Sequence, residues 1–421
     1  MYNDLKQLYE NLNLKENNGL VLLKDNWENE LKKYNFSFET INQLKIIKPT
    51  SLFAFNNVPF ILFFDNPKNE KQIHYQVFCF DKTPVIFILK ENEIKIYHAF
   101  KLIEKNELQN IDIKDDEIKR RFNFWEITSG KTWKWIEELF LKKKNNRIDD
   151  YLLENIKYSI NTLEDNGLNK KIANKLILRL IFTRYLIDRG VIIGEYIDGN
   201  PEEQKKRKKS FINLILNHKN LFLFFEYLKN RFNGNLFEIE ENEEIDIKIE
   251  HLNMLSILFS GNDLKSGQKV LFDVYDFSII PIELISGIYE AILSPKQKKK
   301  DSAVYTPPYL VDYVLSKTID PYLQNNSAFN CSVFDPACGS GIFLVQTYKR
   351  LIEKEKPNFK YLQQDEVDKK LIELLEKNIY GIDININAIN VAIFSFYIAL
   401  LDYKDPKEIN SIKFPPLILL E

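Results

Sequence analysis

The segment VFDPACGSGIFL, Val333 to Leu344, places an acid, a cysteine and two glycines between a strand-like and a helix-like stretch. We predict that CSVFD forms a buried strand ending in Asp335, and that IFLVQTYKRLIEKE begins a helix. Small residues in such a turn let a ligand approach the backbone, and a helix start offers amide groups without an intrahelical partner. The pattern indicates a site for a nucleoside-containing cofactor, although a bare GSG is more simply explained as a turn that needs glycine for its own backbone angles.

Two further segments contain residues suited to the same site. Gly381-Ile382-Asp383-Ile384 closes a second predicted strand. An acid at the tip of that strand is placed to bind ribose hydroxyls, unless it only caps a turn or a helix. Upstream, YTPPYLVDYVL puts Thr306 at a helix N-cap and Pro307 at the first helical position, which alone is simply a well-made helix start. A dinucleotide site would need GxGxxG, whereas this turn reads CGSG.

Together the segments YTPPYLV, DPACGSGIFL and GIDININA closely resemble motifs X, I and II of adenine-N6 DNA methyltransferases, in the order found in the γ group. The resemblance implies S-adenosylmethionine as the cofactor, with motif I around its methionine part, motif II at its ribose and motif X supporting its carboxylate. Carried over by position, the expected cofactor contacts are Thr306, Asp335, Pro336, Ala337, Cys338, Gly339, Gly341, Asp383 and Ile384.

From about Phe124 onward the chain also resembles the large fused type II restriction–methylation proteins and related methylases of phage-defence systems. FWEITSGKTW, ANKLILRLIFTRYLIDRG, FSGNDL and DFSIIPIELISGIYE carry this likeness, although ordinary core packing explains most of their apolar positions. The resemblance implies a site-specific DNA methyltransferase with double-stranded DNA as its partner. One departure is a second predicted helix, Tyr361 to Lys377, which lengthens the interval between Asp335 and Asp383 beyond the roughly 20 residues of a minimal nucleoside fold.

The catalytic tetrapeptide of that family, Asn/Asp-Pro-Pro-Tyr/Phe, does not follow motif II in this sequence. In the family it accepts hydrogen bonds from the exocyclic amine and stacks on an adenine that has been flipped out of the duplex. The nearest candidate is Phe414-Pro415-Pro416-Leu417, whose phenylalanine cannot accept a hydrogen bond and whose leucine is not aromatic. We therefore assign no catalytic residue, and we expect the chain to stop inside the methyltransferase domain and to be inactive alone.

This expectation leaves the source of DNA recognition and the role of the chain open. DNA would be read by a missing C-terminal recognition region, and a second polypeptide is one candidate source of the remaining methyltransferase. Two alternatives to a methyltransferase half are a non-catalytic regulator or scaffold that binds S-adenosylmethionine, and an inactive remnant.

Length and patterning predict a multidomain protein, because 421 residues exceed one ordinary domain. We expect an α+β domain at 1–123, an all-α region at 124–277 and an incomplete α/β Rossmann-like methyltransferase domain at 278–421. In the first domain a strand at Val58–Asp65, a helix containing Gln76 and two further strands are compatible with a PD-(D/E)xK nuclease.

The metal ligands of such a nuclease are largely missing. Asp65 is followed by Asn66 and Pro67, so the D/E-x-K lysine is absent, and Asn56 and Asn57 stand where an aspartate would be needed. Since magnesium needs two or more hard oxygen ligands, we expect an inactive nuclease-like or scaffolding domain and no metal.

The net charge of −2 differs from the basic excess usual for a dedicated nucleic-acid-binding domain. Three scattered cysteines and four histidines without metal-ligand spacing favour a reducing cytoplasm and no structural zinc. The longest apolar run, VAIFSFYIALL, is too short to span a bilayer, so we expect no membrane partner. One basic cluster, usually just a solvated charge run, gives candidate phosphate contacts in a predicted loop: Lys205, Lys206, Arg207, Lys208 and Lys209.

Overall fold

The computed structural model describes residues 4–140, 148–260, 275–280, 306 and 308–403, apart from 25, 26, 35, 37, 56, 57, 104–106, 192, 201, 202, 233–236, 238, 360 and 385. Contacts between residues divide the chain into two compact units. The N-terminal unit comprises Met1–Leu152 with Asp273–Pro281, and the C-terminal unit comprises Leu153–Phe272 with Ile282–Glu421. The three domains expected from the sequence stay a prediction.

The N-terminal unit contains a six-stranded mixed sheet whose strands follow one another in chain order. β3 and β4 pair in parallel, from Ile61 beside Val85 to Asp65 beside Leu89, and all other neighbours are antiparallel. The predicted strand at Val58–Asp65 and the two strands after the following helix are confirmed. The strands are β1 (Leu20–Leu22), β2 (Ser51–Phe55), β3 (Val58–Asp65), β4 (Val85–Lys90), β5 (Glu93–Leu102) and β6 (Leu108–Asn110).

Helices of the N-terminal unit bury the continuous apolar runs of β3 and β4. Alternate residues of a strand face opposite sides of the sheet, and Ile61, Phe63 and Phe87 lie in one core with residues of the first and the last helices. Ring centroids in that core are 5.3 Å apart for Phe63 and Phe87, and 5.2 Å apart for Phe87 and Phe122. The helices are α1 (Leu5–Leu12), α2 (Trp27–Lys32), α3 (Phe38–Ile47), α4 (Glu70–Phe80), α5 (Asp115–Phe122), α6 (Phe124–Thr128) and α7 (Lys131–Phe140).

Residues 275–280, part of the segment that resembles the join to a methyltransferase, belong to the N-terminal unit. The Gln43 side chain donates a hydrogen bond of 2.6 Å to the carbonyl of Ile279, and the amide of Asp276 donates one of 3.3 Å to Cys79 Sγ. The side chains of Phe277 and Ile279 are fully buried. The segment is therefore a packed part of this unit.

The C-terminal unit is mainly helical in its described part. Helix α8 (Ile148–Asp165) spans the division between the units. None of the described helices combines enough length with enough apolar character to cross a membrane. The remaining helices are α9 (Lys170–Asp188), α10 (Gln204–Leu216), α11 (His218–Phe232), α12 (Glu243–Asp246), α13 (Ile249–Phe259), α14 (Pro308–Lys317), α15 (Ile319–Asn325), α16 (Ile342–Phe359), α17 (Gln364–Asn378) and α18 (Ile386–Asp402).

Helix α9 confirms the helix predicted from the apolar spacing of this segment, and it is buried on all sides from Leu176 to Asp188. Gly190 follows its end with φ +77°, the left-handed conformation that favours glycine after a helix. Its amide donates to the carbonyl of Ile187, so the predicted C-terminal glycine is also confirmed.

The loop predicted for Lys205–Lys209 is wrong, because these residues lie in α10. Lysine and arginine are good helix formers. The buried stripe of this helix starts at Arg207 and continues through Phe211, Leu214 and Ile215. A buried arginine supplies the first position of the stripe, so a search for apolar residues misses the helix start.

Strands β7 (Val333–Asp335) and β8 (Ile379–Gly381) pair in parallel in a two-stranded sheet of the described residues. The predicted order of strand, turn, helix, second helix, strand and helix is confirmed. The second helix, α17, begins at Gln364, whereas the sequence predicted Tyr361. The prediction of a buried first strand is wrong, since Phe334 is 58% exposed and within the described residues β7 has one neighbouring strand.

A fully buried ion pair joins α9 to α12. Arg179 Nη2 donates to Glu243 Oε2 at 2.9 Å, and Arg179 Nη1 donates to Glu243 Oε1, which makes the pair bidentate. Both side chains have no exposed surface, and Glu243 Oε2 also accepts from the amide of Glu240 at 2.9 Å. Removing one partner of such a pair leaves the other charge buried without compensation.

We expect Glu243→Gln to destabilise the C-terminal unit by about 3–5 kcal/mol, because the Arg179 charge loses its counter-charge. Urea denaturation followed by circular dichroism, with hydrogen exchange of residues 170–188, measures the loss. The control is Glu164→Gln, which removes the partly exposed pair with Lys170 and should cost less than about 1 kcal/mol. Equal losses in the two variants would show that the buried pair contributes no more than a surface pair.

Candidate cofactor-binding site

Parallel pairing of β7 and β8 brings the two predicted ligand-binding loops together. Val333 lies beside Ile379, and Asp335 lies beside Gly381. Because the strands are parallel, the loops that follow them leave the same edge of the sheet. Backbone hydrogen bonds continue past the strands, from Ile382 N to Asp335 O at 3.1 Å and from Cys338 N to Ile382 O at 3.0 Å. The glycine turn is thereby fixed against the loop that contains Asp383.

Both predicted acids contact the backbone of the glycine turn. Asp335 Oδ1 accepts a hydrogen bond of 3.1 Å from the amide of Ala337, a local turn stabilised by the aspartate. Asp383 Oδ2 accepts one of 2.8 Å from the amide of Gly339. Both acids are half-buried. The second bond joins residues 44 positions apart and connects the two loops directly.

The two glycines of the turn serve different purposes. Gly339 has φ +53°, and a Cβ built on it would meet no atom within 4 Å, so this side of the turn opens to space. Gly341 has φ +80°, and a Cβ there would approach Ala392 Cβ of α18 to 2.8 Å. Gly339 therefore leaves room for a ligand, whereas Gly341 permits close packing of α18 against the turn.

A buried asparagine that the sequence analysis missed fixes the register of the two strands. Asn378 immediately precedes β8, and its Nδ2 donates to the carbonyls of Ala328, Phe329 and Cys331 just before β7, at 3.3, 3.0 and 3.1 Å. No spacing rule points to Asn378, because its partners lie almost 50 residues away in the sequence. These hydrogen bonds fix the end of the long segment between the two loops, just before β8, against the residues that precede β7.

An arginine that the sequence analysis also missed connects the predicted motif X helix to the glycine turn. Arg350 of α16 contacts Asp312 of α14 at 2.9 Å and Asp320 of α15 at 3.0 Å. Helix α16 starts directly after Gly341, and α14 starts two positions after Thr306. Thr306 itself is half-buried, and no hydrogen bond joins it to the turn within the described part of the chain. Pro307 lies outside the described residues.

The remaining predicted contacts differ in exposure. Pro336 and Ala337 are exposed, and Ile384 is 98% exposed. Cys338 is half-buried, and a Cβ built on Gly381 would meet its Sγ at 3.1 Å. Burial, with the nearby charges of Asp383 and Asp335, raises the pKa of the Cys338 thiol to about 11. The thiol is therefore neutral at pH 7.

This edge offers groups suited to the nucleoside-containing cofactor that the sequence predicts. The open side of Gly339 gives access to the backbone, and the start of α16 provides amide groups without intrahelical partners. The Asp383 carboxylate lies at the carboxyl end of β8, the position suited to ribose hydroxyls. The assignment of individual residues to parts of this cofactor stays a prediction.

The basic cluster on α10 is only partly available to a phosphate backbone. Arg207 is buried, donates to the carbonyl of Val191, and has its guanidinium pKa lowered by burial. Its predicted phosphate contact is therefore wrong, because the guanidinium points into the protein. Lys208 lies 3.8 Å from Asp188, and Lys206 lies 3.9 Å from Glu203. Lys205 and Lys209 are exposed and lie one helical turn apart.

No nuclease metal site is assembled among the residues that the structure describes, where no group of three or more His, Cys, Asp or Glu is placed to hold an ion. Asp65 ends β3 as predicted, and its Oδ1 accepts a hydrogen bond of 2.8 Å from Asn66 Nδ2. Asn56 and Asn57 lie outside the described residues. The structure thus adds no second hard ligand beside Asp65.

Residues 322–414 match the protein family described as MmeI, DNA-methyltransferase domain. The type II restriction enzyme and methyltransferase RM.Eco57I of Escherichia coli is 25% identical over 77% of this chain and 34% of that protein. The putative type II restriction enzyme and methyltransferase RM.MjaORFECS2P of Methanocaldococcus jannaschii is 24% identical over 56% of this chain and 25% of that protein. The adenine-specific methyltransferase PglX of Streptomyces coelicolor is 26% identical over 26% of this chain and 9% of that protein.

These comparisons confirm the resemblance to DNA methyltransferases of restriction–modification systems. The family match contains both loops of the site, from the strand before the glycine turn to the helix after Asp383. The chain spans about a third or less of the length of these three relatives.

We expect alkylation of Cys338 by iodoacetamide to accelerate about tenfold per pH unit from pH 8 to 10, because the thiolate reacts and its pKa lies near 11. Cys79 and Cys331 are buried, so peptide mass spectrometry can follow the one half-buried thiol. Asp383→Asn should lower the thiol pKa and raise the rate at pH 8. A rate that levels off near pH 9, as for an ordinary thiol, would contradict the prediction.

Proposed function

We propose that this chain binds S-adenosylmethionine and forms the cofactor-binding part of an adenine-N6 DNA methyltransferase of a restriction–modification or phage-defence system. The observation that carries the proposal is the hydrogen bond from Gly339 N to Asp383, which unites the two loops inside the region similar to the MmeI methyltransferase domain. When bound, the cofactor supplies an electrophilic methyl group on its sulfonium. The mixed α/β architecture, with parallel strands β7 and β8 followed by the two loops, accommodates this role.

In this proposal each part of the site holds a different part of the cofactor. The backbone from Asp335 to Gly341 surrounds the methionine portion, and the start of α16 offers its amides there. The Asp383 carboxylate receives the ribose hydroxyls, beside Ile384. Thr306 supports the methionine carboxylate, and Arg350 keeps its helix at the right distance from the turn. Exposure of Pro336 and Ala337 leaves the cofactor reachable from outside.

Adenine binding and proton removal need groups that the printed 421 residues do not offer after Asp383. Phe414-Pro415-Pro416-Leu417, the nearest sequence to the catalytic tetrapeptide, lacks the amide or carboxylate acceptor and lies outside the described residues. We therefore assign neither the acceptor-binding motif nor the recognition of double-stranded DNA to a residue of this sequence, and a second polypeptide is one candidate source of both. No metal is assigned.

A non-catalytic regulator or scaffold that binds S-adenosylmethionine is the second candidate. The lack of a tetrapeptide of the required type after Asp383 favours it. Both functions predict cofactor binding, whereas only the first predicts methylation once a polypeptide with the missing motif is added. A nuclease-like but inactive N-terminal unit agrees with either, since β3, α4 and β4 follow the expected order and no metal-binding group includes Asp65 among the residues that the structure describes.

Gly339→Ala should weaken S-adenosylmethionine binding at least tenfold in isothermal titration calorimetry, because a methyl group would enter the open side of the turn. The matched control is Gly130→Ala in the N-terminal unit. Gly130 also has positive φ (+78°) and open space around its Cβ position, so it reproduces the backbone strain alone. If Gly339→Ala and the unaltered chain bind with equal affinity, the glycine turn does not contact the cofactor. If a folded unaltered chain does not bind S-adenosylmethionine, the proposed function is wrong.

The first turns of α10 offer a place for DNA phosphates. The cluster begins this helix, and no acid lies in its first turn. Cations at a helix N-terminus are opposed by the helix dipole, by about 0.3–1 kcal/mol each. Lys205, in the first turn, therefore gains more from an anionic partner than from the helix itself, and Lys209 is exposed one turn further along, which supports DNA contact by both.

Lys205→Gln with Lys209→Gln should weaken binding of a DNA duplex and reduce the slope of log affinity against log salt by about 2, since two phosphate contacts are lost. Fluorescence anisotropy at several salt concentrations gives this slope. Lys131→Gln with Lys134→Gln, exposed lysines of α7, changes the net charge equally and should leave the slope unaltered. The same slope change in both double variants would indicate a general charge effect.

A further inference from the structure

Helix α18 contacts the candidate site at two points. It begins three positions after Asp383, whose carboxylate accepts from Gly339 N. Further along, Ala392 packs so closely against Gly341 that an added Cβ would lie 2.8 Å from it. A sideways or axial shift of α18 would therefore disturb both loops of the site, because close-packed contacts leave little room for independent movement.

The far end of α18 is held by polar side chains from the end of α9. Asp402, the last residue of α18, has a side chain that is 6% exposed. Its Oδ1 accepts from Tyr185 Oη at 3.0 Å and from Arg189 Nη1. The Arg189 guanidinium also lies 4.5 Å from the centroid of the Tyr185 ring. A charge-assisted hydrogen bond in such a buried setting fixes position more strongly than apolar packing alone.

An aromatic contact keeps the same two helices together along their length. The rings of Phe182 in α9 and Phe394 in α18 have centroids 5.3 Å apart and cross at 62°. Apolar contact of this kind tolerates small sliding, whereas a hydrogen bond at the helix end does not, because its strength depends steeply on distance and angle. The hydrogen bonds that Asp402 accepts from Arg189 and Tyr185 therefore restrain the axial position of α18, and the Arg189 bond is the charge-assisted one.

We infer that Arg189 is a positioning residue for the S-adenosylmethionine site: by holding Asp402 it fixes α18, and α18 in turn fixes Gly341 and the Asp383 loop. This role rests on the proposed function of the site. It assigns the helical segment before the methyltransferase-like residues a direct part in shaping the cofactor pocket. Helix α18 transmits the restraint over about 25 Å, the length of a 17-residue helix.

The test compares three variants of the full chain: Arg189→Met, Arg189→Lys and Arg184→Met. Arg184 pairs with Asp188 of the same helix at 2.9 Å, and its side chain is 1% exposed against 17% for Arg189, so its loss disturbs α9 at least as strongly without removing the bond to α18. Two quantities are measured for each variant. They are the Kd for S-adenosylmethionine by calorimetry, and the rate of Cys338 alkylation in the absence of cofactor.

We expect Arg189→Met to weaken S-adenosylmethionine binding about tenfold, and to raise the Cys338 alkylation rate several-fold as the turn loosens. Arg189→Lys keeps a cation near Asp402 and should restore both values toward those of the unaltered chain. Arg184→Met should lower the thermal midpoint but leave Kd and alkylation rate unchanged. If Arg189 only stabilised the fold, Arg189→Met and Arg184→Met would have similar effects on the Kd and on the alkylation rate.

Unchanged affinity in a folded Arg189→Met protein, with or without a changed alkylation rate, would overturn the inference. So would equal effects of Arg184→Met on both quantities. If Arg189→Met does not fold, Asp402→Asn serves in its place, because it keeps the shape of the side chain and removes its charge. If the unaltered chain does not bind S-adenosylmethionine, the proposed function is wrong. The alkylation rate then tests the inference separately: a rate that does not change in Arg189→Met would show that Arg189 does not position the glycine turn.

Discussion

The hydrogen bond from Gly339 N to the Asp383 carboxylate is the interaction on which the candidate site depends. It closes a loop of 44 residues and holds two turns at one edge of a two-stranded parallel sheet. The bond is possible because the strands approach closely. At Gly381 an added Cβ would lie 2.6 Å from Leu344 Cδ1 and 3.1 Å from Cys338 Cβ, so a larger residue would have to displace these side chains. Backbone proximity, rather than any single reactive side chain, is what this edge provides.

Support for that edge comes from polar contacts between distant segments. Asn378 ties the start of β8 to the backbone before β7, Arg350 ties α16 to α14 and α15, and Asp402 ties α18 to α9. Each contact satisfies a buried or half-buried polar group, which would be costly to leave without a partner. Because each also has strict geometry, together they select one arrangement of helices that are otherwise held by apolar packing.

The sequence predicted the parts of the site that follow from local rules. Asp335 and Asp383 were expected at strand ends, and parallel pairing brings strand ends together whatever the rest of the fold does. Arg350 and Asn378 could not be found in this way, since their partners lie 30 to 50 residues away and only the packed structure brings them near. Arg207 was predicted wrongly for another reason. Its charged side chain occupies a core position of α10 through its apolar stem. The sequence therefore suggested an exposed cation in a loop, and the start of the helix was not recognised.

A comparison of two parallel strand pairs shows why one edge suits a ligand and the other does not. Asp65 ends β3 beside β4 much as Asp335 ends β7 beside β8. After Asp65, however, the next residue is Asn66 with φ +43°, whose amide donates to Leu89 O at 2.8 Å and whose Oδ1 accepts from Glu91 N at 3.2 Å. The asparagine side chain thus bonds to protein partners at this edge, whereas a Cβ at Gly339, four residues after Asp335, would meet no atom within 4 Å. Parallel strand ends therefore bring an acid to the edge in both units, but the residues that follow decide whether the edge is occupied by hydrogen-bonded protein groups, as after Asp65, or leaves backbone open, as at Gly339.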